Sequence, residues 1–187
     1  GVSHVLKLTQ SQANTMGSQN ALERQNNTIP NPARSGNCGY GALALEIWEG
    51  IAEGYNIERF NTGLRQVVAR YLQANAAEMA PKFLEDGERL TEKMKAALLA
   101  RLEYYTRKVL DQHAPLWIGD IELDIISEVF GVRIDIFDYS QGTNFRVANN
   151  GPFEGTIMPN RVYGAQFSGA PIRLKFTGNH FNPVRLK

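Results

Sequence analysis

With 187 residues and a mass of 20.9 kDa, the chain is long enough to bury one core and is most economically a single domain. A hydrophobic share of 43% and a charged share of 21% exclude a disordered polymer or a fibrous repeat. Twenty basic against nineteen acidic side chains, a formal charge of +1, argue against a general nucleic-acid binder. No apolar run approaches the roughly 20 residues of a bilayer-spanning helix, so no membrane span is expected. One cysteine and three histidines make too poor a set for an internal disulfide or a structural zinc site, and neither metal nor cofactor is expected.

Residues 1–32 read as a polar N-terminal arm. They are crowded with amides (Gln10, Gln12, Asn14, Gln19, Asn20, Gln25, Asn26, Asn27, Asn31), close with Pro30 and Pro32, and are anchored by Val5, Leu6 and Leu8. The remainder, 33–187, reads as the globular body. From Gly39 the pattern is helical, with Tyr40, Leu43, Leu45, Ile47, Trp48 and Ile51 in one apolar segment that Gly50 and Gly54 end. Leu64, Val67, Val68, Tyr71 and Leu72 then form a helical stripe, and Met94, Leu98, Leu102, Tyr105 and Val109 form another; Pro81 and Gly87 separate them. Asp120 is the expected N-cap of a helix that turns Ile121, Ile125, Ile126, Val129 and Phe130 to one side and stops at Gly131. Alternation takes over at Val132, Ile134 and Ile136 and again at Ile172, Leu174 and Phe176, which predicts two strands. Arg161–Phe167 and Phe181–Leu186 are further candidates, and Ser140–Gly155 is a loop or hairpin. Helices followed by a small sheet make an α+β fold.

The lone thiol sits in Ser35-Gly36-Asn37-Cys38-Gly39-Tyr40-Gly41, a glycine-flanked turn opening a helix. Glycines let a substrate backbone approach, a helix N-terminus favours the thiolate, and N–H groups of such a turn can face a developing oxyanion. The alternative is an inert cysteine buried at a helix start. Far along the chain, His180 and Asn182 stand two apart, the spacing that lets an amide oxygen hold the imidazole of a general base. A surface histidine in a turn is the competing reading. If Cys38 has a chemical role, it needs a reducing compartment; the sequence begins at Gly1 without a signal-peptide pattern.

Taken together these segments resemble the OTU (ovarian tumour) cysteine proteases. Ser35-Gly36-Asn37-Cys38-Gly39-Tyr40-Gly41-Ala42 is similar to their Asp-Gly-Asn-Cys-Leu-Phe-Arg-Ala type of motif, Trp117-Ile118-Gly119-Asp120-Ile121-Glu122-Leu123 to their Trp-Gly-Gly-x-x-Glu-Leu, and Asn179-His180-Phe181-Asn182-Pro183-Val184 to their His-Tyr-(Asp/Asn)-x-Val. The resemblance implies a papain-like fold of OTU type, in which a small central β-sheet is flanked by helices and a helical arm, here an insertion at about 63–111. It implies a deubiquitinase in which Cys38 is the nucleophile, His180 the base and then acid, and Asn182 the residue orienting the imidazole, with backbone amides of Gly36, Asn37 and Cys38 as oxyanion hole. Ubiquitin or polyubiquitin is the implied partner, and the cytosol, or the host cytosol after secretion of a bacterial effector or viral member, the implied location.

Substrate-side residues follow from the same resemblance. Ser35 replaces an acid that usually stands three before the nucleophile, Gly39 replaces a large residue, and Gly119-Asp120 stands for a Gly-Gly. The arginine-bearing tail of ubiquitin calls for an acidic cleft, for which Glu122, Asp124, Asp135 and Asp138 are candidates, each with a solvated surface acid as its alternative. Trp117 reads first as a core anchor and second as a substrate contact. Phe181 flanks the histidine as a further substrate contact, and of Tyr104 and Tyr105 one is expected in the core. Two competing functions remain open: another papain-like thiol hydrolase or transferase, and a non-catalytic ubiquitin-binding module.

Overall fold

The computed structural model describes residues 3–7, 37–47, 57–111, 116–138, 144–148, 156–178 and 180–183. Strand β1 (Ser3–Lys7) comes first. The amide-rich part of the predicted arm, the helix ends expected at Gly50 and Gly54, and residues 184–187 lie outside the described residues.

Helix α1 (Cys38–Ile47) has every residue from Cys38 to Leu45 buried. A helix apolar on all sides offers water no polar face and is stable only inside the protein. Helix α2 (Ile57–Ala74) packs against it, followed by a short helix α3 (Ala76–Met79) and a 3-10 turn (Ala80–Phe83) that holds Pro81 near its start, where a missing N–H costs no bond. Helix α4 (Glu92–Leu110) is capped by Thr91, whose hydroxyl accepts from the Met94 N–H at 3.3 Å, and ends with Arg107 and Lys108 against the negative end of its dipole. Gly87, at φ 84, turns the chain between the two long helices as expected.

Helix α5 (Asp120–Phe130) departs from its predicted detail in two ways. Gly119 is the N-cap and Asp120 the first helical residue, while Gly131 closes the helix at φ 61 as predicted. Its buried side is Glu122, Leu123, Ile125, Ile126 and Ser127, and Val129 is exposed. The helix packs on α2 and β5, with Leu123 and Ile126 in the shared core and Val129 left exposed.

Six further strands follow: β2 (Ile134–Asp138), β3 (Asn144–Ala148), β4 (Thr156–Met158), β5 (Arg161–Tyr163), β6 (Ile172–Phe176) and β7 (Phe181–Pro183). They form a four-stranded sheet in the order β5-β2-β6-β7 and, with β1, a three-stranded antiparallel sheet in the order β1-β3-β4. In the larger sheet β2 and β6 are parallel, Ile134 facing Ile172 and Ile136 facing Leu174, and the outer pairings are antiparallel. Residues 134–137 are all buried, as a strand covered on both faces must be. The strand expected over Arg161–Phe167 stops at Tyr163 because Gly164 turns away at φ 68, and of the segment 140–155, expected as a loop or hairpin, residues 144–148 form β3, which pairs antiparallel with β4 and with β1.

The architecture is α+β, with the helical arm sharing the core of the sheet. One apolar cluster joins Leu43 of α1, Leu64, Val68 and Leu72 of α2, Leu102 and Val109 of α4, Leu123 and Ile126 of α5, and Ile134, Ile136, Leu174 and Phe181 of the sheet.

Candidate active site

The thiol is the first residue of α1 and is 3% exposed. Asn37 precedes it, and the Asn37 carbonyl accepts the Gly41 N–H at 2.9 Å, closing the first helical turn. Gly39 is required by a close approach: a Cβ there would overlap Ile118 Cγ2 and stand 3.2 Å from Phe181 Cδ2. In register with the Trp-Gly-Gly-x-x-Glu-Leu pattern it is Ile118 that stands at the first glycine. Its side chain occupies the room a large residue after the cysteine would need.

The histidine is held from the other side. Gly178, at φ 97, turns the chain between β6 and β7, and the His180 carbonyl accepts from the Thr177 N–H at 3.0 Å and the Thr177 hydroxyl at 3.3 Å. Phe181 pairs with Phe176 across the two strands, their rings 4.7 Å apart at 31°, and β7 packs on α1. Gly39 and Phe181 are the chain neighbours of Cys38 and His180, and the closeness of the Phe181 ring to Gly39 brings the start of α1 and the start of β7 to one place. Asn182 lies in β7 opposite Lys175; its side chain, with Ser35, Gly36 and Asn179, is outside the described residues.

Behind the thiol lies a buried polar cluster. Glu122, 1% exposed, accepts the Gly119 N–H at 3.1 Å with one carboxylate oxygen and a short hydrogen bond from the Tyr105 hydroxyl with the other. Burial and the Glu122 charge raise the Tyr105 phenol well above its ordinary range, and they act in the same direction on Tyr40, opposed there by Arg65. Both phenols stay protonated. Tyr105 is therefore the half-buried member of the tyrosine pair, and Tyr104 is exposed.

These placements correct four expectations. Glu122 is a structural carboxylate: buried, it caps α5 with one oxygen and anchors α4 with the other. Asp135 is likewise buried and pairs with Arg133 at 2.7 Å, so of the expected acidic cleft only Asp124 and Asp138 reach the surface. Phe181, 4% exposed, belongs to the core. Trp117, 45% exposed, does not, because its neighbour Ile118 fills the space over α1.

One residue was missed. Arg65 of α2 is 1% exposed and donates through Nε and Nη2 to Asn37 Oδ1 at 3.1 and 2.5 Å, through Nη1 to the Val109 carbonyl at 2.9 Å, and through Nη2 to the Leu116 carbonyl at 3.1 Å. Its guanidinium carbon lies 4.2 Å from the centre of the Tyr40 ring. Burial lowers the guanidinium's proton affinity, while Tyr40, Glu122 and Asp111 act to restore it. The signal was in the stripe itself. The buried side of α2 runs through Asn61, Leu64, Arg65, Val68, Ala69 and Leu72, so two polar residues occupy inward positions of an otherwise apolar series. Among the described residues no group of three or more histidine, cysteine or acidic side chains is placed to hold a metal, and no helix is long and apolar enough to cross a membrane.

No protein-family model matches the sequence, and no curated protein matches it. Solved structures match its fold. The viral OTU domain protease of Dera Ghazi Khan virus is similar at a TM-score of 0.51 and 17% identity, over 82% of this chain and 76% of that one. The OTU domain of human OTUD1 is similar at 0.51 and 16%, over 91% and 93%, and the viral OTU domain protease of Taggert virus at 0.51 and 16%, over 84% and 77%.

Proposed function

We propose that this chain, whose fold is that of the OTU domains, is a cysteine-dependent deubiquitinase that hydrolyses the isopeptide bond after the C-terminal glycine of ubiquitin. The observation that carries the reading is the packing of β7 on α1, with the Phe181 ring 3.2 Å from where a Cβ at Gly39 would stand, which sets the helix start bearing Cys38 beside the strand that follows His180. Two of the structures it resembles are proteases by their own description. The ubiquitin substrate rests on the three sequence motifs.

In this reading the Cys38 sulfur attacks the glycine carbonyl as His180 takes the thiol proton, and the carbonyl oxygen becomes an oxyanion beside the first N–H groups of α1. Collapse of that intermediate breaks the C–N bond. His180 returns the proton to the departing lysine amine, leaving a thioester that water, activated by the same imidazole, hydrolyses to the free carboxylate and thiol. Asn182 accepts the imidazole N–H and keeps the ring in the working tautomer. The thiol must stay reduced, which fits the cytosol, including the cytosol of a host cell.

Ubiquitin bearing a C-terminal electrophile should form a covalent adduct with the wild type and none with Cys38→Ala. On a panel of diubiquitins His180→Ala should lose about 10²–10⁴-fold in kcat/KM, and Asn182→Ala should lose less, at unchanged melting temperature. An unlabelled wild type that still hydrolyses small amides or esters would point to another papain-like hydrolase. A wild type that binds ubiquitin without labelling would point to a binding module.

A further inference from the structure

The polar group closest to the nucleophile in sequence is tied to a charge from another helix. Asn37, whose backbone was expected to contribute to the oxyanion hole, is held at two points: its carbonyl takes the Gly41 N–H inside α1, and its side-chain oxygen takes two N–H groups of Arg65. Arg65 is in turn fixed by the carbonyls of Val109 and Leu116 and by the face of Tyr40. A planar guanidinium with its donors engaged on three acceptors and its face on a ring has one available geometry. Asn37 inherits that geometry.

The peptide between Asn37 and Cys38 carries the N–H of the nucleophile's own residue, one of the first four N–H groups of a helix, which have no partner within the helix itself. Such a donor stabilises an oxyanion only if it already points where the charge will develop, because reorientation during the reaction consumes the stabilisation it would provide. We propose that Arg65 is a positioning residue for acyl transfer: through the Asn37 side chain it fixes the peptide that opens α1, so that the Cys38 N–H is set for the oxyanion. This inference rests on the deubiquitinase reading and adds to it a residue far from the motifs.

Arg65→Ala would strand two buried carbonyls and endanger the fold, so the informative variant is Asn37→Ala, which removes the acceptor and leaves the bonds of Arg65 to Val109 and Leu116. Arg65→Lys, which keeps the charge and loses the fork, is the second. Steady-state hydrolysis of a ubiquitin with a fluorogenic C-terminal amide separates kcat from KM. Inhibition by ubiquitin aldehyde, whose adduct with Cys38 carries a tetrahedral oxygen, reads the oxyanion site directly, and binding of unmodified ubiquitin reads recognition alone. Asn37→Ala should lose about 10²-fold in kcat, the scale of a misplaced catalytic group, with KM and ubiquitin affinity unchanged, aldehyde affinity lowered in parallel, and the melting temperature lowered only by the lost acceptor of the buried Arg65. Arg65→Lys should show the same pattern, smaller in size. An active wild type with an equally active Asn37→Ala, or a loss shared equally by kcat, ubiquitin binding and melting temperature, overturns the positioning role alone. A wild type that neither hydrolyses the amide nor binds the aldehyde overturns the deubiquitinase reading, and the inference with it.

Discussion

Gly39 and Ile118 share one small volume at the start of α1, and the chain can fill it from only one side. A methyl group added at residue 39 meets Ile118 Cγ2 and crowds Ile118 Cβ at 3.2 Å, so Gly39→Ala should cost about 1–3 kcal/mol through overpacking. Ile118→Ala should cost about 2–5 kcal/mol through the cavity it leaves. The double variant should be more stable than the sum of the two predicts, by about 0.5–3 kcal/mol, because each change relieves the other. Urea unfolding of the four proteins measures this coupling, and strictly additive losses would show that the two positions do not compete for space. At the same scale a lone thiol in a glycine-rich helix start and a His-x-Asn pair are local patterns, which is why the sequence alone can nominate Cys38 and His180. The roles of Arg65 and Glu122 were less legible: apart from Gly119, three residues from Glu122, their partners lie 17 to 51 residues away, and although Arg65 stands at an inward position of the α2 stripe, the stripe does not name what it would bind.

Between the two long helices the chain is clasped by Glu88. Its carboxylate accepts the Glu85 N–H at 2.8 Å and takes both arms of Arg101 from α4 at 2.8 and 3.2 Å, and the same arginine donates to the Phe83 carbonyl at 2.9 Å. The arginine's hydrogen bond, then the backbone N–H, hold the Glu88 carboxyl below its ordinary value of 4.5. A group whose folded value is depressed stabilises the fold above the unfolded value and loses that contribution as the pH falls through the folded one. Wild type should therefore melt higher than Glu88→Gln at pH 7, with the gap closing below about pH 4. A gap that stays constant down to pH 3 would place the effect in packing rather than in the charge. The element boundaries were read well where punctuation is chemical, as at Pro81, Gly87 and Gly131. The inward sides of α2 and α5 were misjudged by one or two residues, because rotation of a helix on its neighbours is decided by contacts that a periodic pattern does not contain.

Across the whole molecule, the elements that carry Cys38 and Phe181 and the helices between them share one core. Leu64, Val68, Leu72, Leu102 and Val109 lie in the same apolar cluster as Cys38 and Phe181. On its outer side the arm keeps an open groove of about 380 Å³ between α2 and α4, lined by Leu72, Ala76, Leu99, Leu102, Thr106 and Leu110, with Leu99, Tyr104 and Leu110 exposed near it. If the arm recognises ubiquitin, amide resonances of these residues should shift when inactive Cys38→Ala is titrated with ubiquitin, and Leu99→Asp should raise KM while leaving kcat and melting temperature unchanged. Shifts confined to the surroundings of Cys38 and His180 would make the arm purely a support.

The reach of Arg65 also has a consequence in time. Its acceptors are separated from it by 28, 44 and 51 residues, and the histidine comes later still, just before a strand that can be seated only after β6 has crossed over to lie parallel to β2. Contacts so distant in sequence form slowly, because loop closure must precede them. On a ribosome the thiol leaves the exit tunnel long before β7, which packs on its helix, and, in the proposed mechanism, long before its base. If His180 is the base, nascent and truncated chains carry a dormant cysteine, and reactivity arrives only with the completed body.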